Sequence, residues 1–276
     1  MPLFTRLCAG WLVAIVFGAI FADLIPGLQD PNYQGFLFGT STTNEPPSLA
    51  HLLGTDNNSR DILARIVYGA RVSLVVSMTA VIMGTVFGGF LGALTGFVRG
   101  KTDAMIMASL DVILAFPGLV LLLTVVTLLG RRDLLVIATV VGFLSIPPYT
   151  RVARATALAV SRREFVMAAR AIGTRKRTIL FREILPNALS PLVAELGLRF
   201  IFAILFISTL SFLGLGIQPP NADWGGIVKE NREGIVYGIS AALMPALAIV
   251  TLSISVNLVA DWALNRTTSL KGGRGV

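Results

Sequence analysis

From Val72 to Val98 the chain runs for 27 residues without one charged side chain. A helix of about 20 apolar residues crosses the roughly 30 Å of bilayer hydrocarbon, so this run alone is long enough to span a membrane. Five further segments share its character. Residues 7–26 carry only Asp23, 104–130 only Asp111, 190–217 only Glu195 and Arg199, and 134–150 and 235–260 no charge at all. Only 14% of the 276 residues are charged and mean hydropathy is +0.78, against about 25% charged residues in an ordinary soluble domain. The pattern predicts an all-α integral membrane protein with six transmembrane helices. The first run exceeds the apolar core of a signal peptide and is followed by five more, so it reads as an uncleaved signal-anchor.

Six crossings place both termini, loop 99–103 and loop 151–187 on one side. That side carries fifteen Lys/Arg and the other seven, namely Arg60, Arg65, Arg71, Arg131, Arg132, Lys229 and Arg232. The bias assigns the termini and loop 151–187 to the cytosol, and it accounts for the net charge of +8 without nucleic acid. Three regions follow: 1–71, the first span and an external polar segment; 72–265, a core of five spans with the cytosolic loop 151–187; and 266–276, a cytosolic tail. A lone cysteine, Cys8, excludes an internal disulfide and a cysteine metal cluster. His51, the one histidine, stands in a polar external loop and is expected at the surface.

Within the spans, Gly84, Gly88, Gly92 and Gly96 recur every four residues and line one helix face, as close helix packing requires. Pro117 and Pro245 interrupt the third and sixth spans and predict kinks, since proline removes a backbone donor. Glu195 and Arg199, four apart, share a helix face and predict an ion pair, a structural one near the headgroups or one on a transport path. Asp111, also within a span, carries the same two readings.

Loop 151–187 holds nine Lys/Arg. Inside it, Phe165, Ala168, Ala169 and Ile172 follow the i, i+3, i+4, i+7 spacing of a short amphipathic helix, and Gly173 suits a left-handed helix stop. The apolar face is small, alanine-rich and without tryptophan, which fits a groove in a protein partner better than the acyl chains of anionic lipid.

This arrangement resembles the coupling loop of bacterial ABC importer permeases, with Ala168-Ala169, Gly173 and Leu185-Pro186 in the recurring positions. Met167 departs from the usual glutamate and Glu183 from an aliphatic residue. HLLGTDNNSRDILARIVYGARVSL (51–74), DVILAFPGLVLLL (111–123) and SFLGLGIQPPNADWG (211–225) resemble the dipeptide/oligopeptide/nickel group of such permeases, and 51–74 its second type of permease subunit. The resemblance covers most of 51–265. It implies a type I importer permease in the bacterial cytoplasmic (inner) membrane, forming half of a path with a homologous second permease. Two ATPase subunits would carry ATP and Mg, with no cofactor on this chain, and an extracytoplasmic peptide-binding protein would deliver substrate. Glu164, Phe165, Ala168, Ala169, Arg170, Gly173, Leu185 and Pro186 are then expected to couple to the ATPase. Dipeptides, longer peptides, glutathione-like peptides and nickel or another small chelate all suit the group.

The chain is not expected to be an enzyme. Gly96-Phe97-Val98-Arg99-Gly100-Lys101-Thr102 lacks one residue of phosphate-loop spacing and follows no strand. A secondary transporter would have Asp111, Glu195 and Arg199 as its only candidate coupling charges, and the two halves show no evident repeat.

Overall fold

The computed structural model describes residues 2–218, 221–237 and 240–272, and among these every regular element is helical. The longer ones are α1 (Leu3–Phe21), α2 (Ile62–Val98), α3 (Gly100–Leu114), α4 (Gly118–Leu129), α5 (Leu134–Val160), α6 (Glu164–Ala171), α7 (Leu185–Phe212), α8 (Trp224–Asn231) and α9 (Leu243–Gly272). Parts of α1, α2, α5, α7 and α9 are long and apolar enough to cross a membrane. α3 and α4 are long and apolar enough only when taken together, as two halves bent by 86°. The interruption expected at Pro117 within 104–130 is thus present, as a break rather than a kink. Pro117 stands at the N-cap of α4 with extended backbone, where its missing N–H breaks the helix outright rather than kinking it.

Other boundaries move for equally local reasons. α2 starts at Ile62 rather than 72, because the Asp61 carboxylate accepts from the Ala64 N–H (2.8 Å) and caps it there. α5 runs through Pro147-Pro148 and ten residues beyond the expected exit, so the first part of the basic loop is an extension of a span. Pro245 falls in the first turn of α9, where its missing donor has no intrahelical partner to lose; it does not interrupt the sixth span. The fifth span ends at Phe212, and Gly214 at φ +85° turns the chain away.

The glycine row is where α2 meets α5. A Cβ on Gly88 would lie 2.7 Å from the Ile146 carbonyl oxygen, one on Gly96 2.7 Å from that of Arg154, and one on Gly92 2.6 Å from the Ala153 Cβ. The backbones approach so closely that no side chain fits. At Gly84–Gly88 the helix widens into a π turn beside the buried Tyr149. Gly92→Ala is accordingly expected to cost about 1–3 kcal/mol, read as a lower melting temperature in detergent. Gly10→Ala, with open space around it, should leave that temperature unchanged or slightly raised.

The main core joins α2, α4, α5, α7 and α9 through Val76, Leu122, Ile137, Val141, Ile204 and Leu252. A second, smaller core lies beneath α6. The external segments are not loose loops: residues 42–61 and α8 fold together over the ends of α2 and α7.

Candidate functional site

α6 is a two-sided element. Val166 is fully buried among Ala93, Ala157, Val160, Ile179 and Ile184, with Leu185 and Ala169 packed at the edge. One apolar anchor therefore seats the helix on the ends of α2, α5 and the segment leading into α7. Phe165, Ala168 and Ile172 stay exposed, Ile172 at 82% of its surface. The predicted apolar face thus divides, with three members turned outward and Ala169 half inward. Val166 was missed because it falls outside the i, i+3, i+4, i+7 set.

The helix ends in a Schellman motif. The Thr174 N–H donates to the Ala169 carbonyl (3.0 Å) and the Gly173 N–H to that of Arg170 (3.1 Å), with Gly173 at φ +79°. Glu164 sits exposed in the first turn, favourably placed against the helix dipole. Arg170 lies on the inward side, its guanidinium 5.3 Å from the Phe97 ring centroid. Leu185-Pro186 does not close a loop: helical turns run from Lys176 to Phe212 through a π turn at Leu180–Ile184. Pro186 has no N–H for the preceding turn, and beside it the Asn187 side-chain amide Nδ2 donates to the Glu183 carbonyl (2.6 Å).

Among the described residues, two of the nine basic residues of loop 151–187 are ion-paired within the chain. Arg151 pairs with Asp111 (2.6 Å), and Arg154 holds Asp103 through two bonds of 2.6 and 2.7 Å. Both pairs tie α3 to the extension of α5. Glu195 and Arg199 form the expected pair at 2.6 Å, and the Arg199 guanidinium stands 5.3 Å from the Tyr149 ring centroid. Arg199 borders an apolar cavity of about 200 Å³ between α2, α4, α5 and α7, lined also by Leu122, Leu144 and Phe206.

The opposite end of the molecule holds a charged clamp. Asp56, fully buried, accepts from Arg60 Nε (2.8 Å) and Arg65 (2.7 Å); both arginines also bind Glu230 of α8, at 2.5 and 2.7 Å. The Asn57 N–H donates to the Asn231 side chain (3.1 Å), and Trp224 Nε1 to the Ile66 carbonyl (2.8 Å). His51 is buried rather than at the surface, with Nδ1 2.8 Å from Asp61, the cap of α2. Segments 51–74 and 211–225 thus meet in space. The charges of 56–65 carried the signal, but as topology markers they revealed no partner.

Asp223 caps α8 through the Gly226 N–H (3.1 Å) and is pushed up to about 6, chiefly by burial. Its folded pKa exceeds the unfolded value, so the native state binds the extra proton between 3.8 and about 6. Stability through this group falls as pH rises across that window and is level above it. The difference in melting temperature between wild type and Asp223→Asn should therefore change between pH 4 and 6 and be flat at higher pH; no change in the window would contradict the assignment.

Residues 84–269 match the family described as binding-protein-dependent transport system inner membrane component. The chain belongs to that family of permeases. Curated relatives agree over nearly the whole length. The glutathione transport system permease protein GsiD of Pectobacterium atrosepticum is 38% identical over 250 residues, covering 91% of this chain and 80% of the relative. GsiD of Escherichia coli O6:K15:H31 is 38% identical over 251 residues, covering 91% and 81%. In fold, this permease resembles an inward-facing crystal structure of the MetNI methionine ABC transporter, with a TM-score of 0.61 at 19% identity over 74% of this chain and 97% of that one. The chain is therefore a permease subunit of an ABC importer in the bacterial inner membrane, with the type I fold.

Proposed function

We propose that this permease forms half of the path for small peptides in an ATP-driven importer, and that α6 transmits the ATPase cycle to that path. The 38% identity over 91% of the chain to permeases named for glutathione, itself a tripeptide, is the observation that carries the peptide reading. The partners are a homologous permease, two ATPase subunits with ATP and Mg, and an extracytoplasmic peptide-binding protein. Glu164, Phe165, Ala168 and Ile172 present the docking face, while Gly173 ends it and Val166 seats it. ATP binding would close the ATPases and carry α6 as a rigid body, tilting α5 and the helical run into α7. This works only if the ATPase binds α6 differently in its open and closed states. Arg199, Glu195 and the adjoining cavity lie where a path between spans could run, and Asp111 serves as a strut.

Uptake assays in a strain deleted for this gene decide the substrate class. Loss of glutathione or di- and oligopeptide uptake, restored by the wild-type chain, is the expected result. Intact peptide uptake with loss of nickel uptake would replace peptides with a chelate.

A further inference from the structure

On the side of α6 away from its exposed face lies a cleft of about 670 Å³ with an apolar floor of Leu94, Phe97 and Leu180. Arg99, Arg170, Lys176 and Arg177 surround it, and among the described residues that line it none is acidic. Asp103, close enough to Arg99 for their charges to interact, is held bidentately by Arg154 and does not line the cleft. Phe97 and Val98 are the last residues of a membrane-crossing helix, so the floor lies at the edge of the leaflet on the side that the charge bias assigns to the cytosol.

Arg99 supplies a further observation. Its backbone sits at φ +57° and ψ −171°, a region that glycine occupies at little cost and other residues rarely do. A turn that needed only to reverse the chain would be served better by glycine. An arginine there keeps a fourth cation on the rim.

We propose that this cleft binds an anionic phospholipid of the inner leaflet, its phosphate among Arg99, Arg170, Lys176 and Arg177 and its upper acyl chain on Leu94 and Phe97. Four cations without a carboxylate select negative charge, and an apolar floor continuous with a span selects an amphiphile over a free anion. The lipid would wedge between the end of α2 and the root of α6. It would thereby brace the element proposed to transmit the ATPase cycle, whatever substrate the path carries.

The test uses the complete importer, purified with its ATPase, in nanodiscs of equal parts phosphatidylcholine and phosphatidylglycerol, with one or the other lipid bearing a diazirine. Illumination should attach phosphatidylglycerol to peptides around Phe97 and Leu180. In Arg99→Gly/Lys176→Gln the adduct should fall on the order of tenfold with the ATPase still co-purifying. Glycine suits the Arg99 backbone, so the variant should fold. Equal adducts in wild type and variant, or equal labelling by phosphatidylcholine, would overturn the site. An adduct that forms only after the ATPase is removed would also overturn it, because a protein partner then fills the cleft; so would loss of the ATPase together with the adduct.

Discussion

Ala168→Glu should leave the permease folded and inserted while weakening its hold on the ATPase by roughly 30- to 1,000-fold, the 2–4 kcal/mol of a central interface residue. Ala168 is exposed on α6 between Phe165 and Ile172, so a longer side chain there meets nothing of its own chain. Val166 continues to seat the helix. The added carboxylate would be buried without a partner on docking. Ala169 is a poorer choice, because it leans on the chain's own cluster and a charge there would disturb both sides. ATPase co-purification and peptide uptake should both collapse, with unchanged membrane levels of the chain. Normal uptake by Ala168→Glu would remove α6 from the coupling account.

The second large effect belongs to the external clamp. Arg65→Met leaves Asp56 buried with one cation fewer and frees Glu230 from a 2.7 Å bond. Removing one member of a buried pair costs about 3–5 kcal/mol. For a chain of this size that is on the order of 10 °C in melting temperature. Arg131→Met, whose pair with Asp133 is exposed, should change little. A melting temperature unchanged in Arg65→Met would mean that α8 is held to 56–65 by Trp224 and the Asn57 bonds alone.

The apolar runs were legible because hydrocarbon tolerates almost no charge, and the glycine row because a four-residue period faces one way. The path of the third span was not. Pro117 signals a lost hydrogen bond, but the size of the bend depends on what the two halves pack against, such as Phe206 beside Gly118. The helix at 164–171 was legible from periodicity, whereas the side it turns inward depends on Val166 finding Ile179 and Ile184, contacts that periodicity does not encode. His51 illustrates the same limit: a polar residue in a polar loop reads as exposed until Asp61, ten residues on, proves to be its buried partner. The clamp required Arg60 and Arg65 to meet Glu230 across some 165 residues of sequence, beyond any local signal.

The most direct measurement of the central claim is cross-linking in native membranes. Cys8 is replaced by serine, and single cysteines are introduced by Phe165→Cys, Ala168→Cys, Ile172→Cys and, on the inward side, Arg170→Cys. A thiol-directed benzophenone, which on illumination inserts into neighbouring C–H bonds and needs no thiol on the partner, should join the first three to an ATPase subunit, with yields that change when ATP is added, and leave Arg170→Cys unjoined. ATPase adducts absent from all of the first three positions, or formed equally from Arg170→Cys, would contradict the assignment of α6 as the coupling helix.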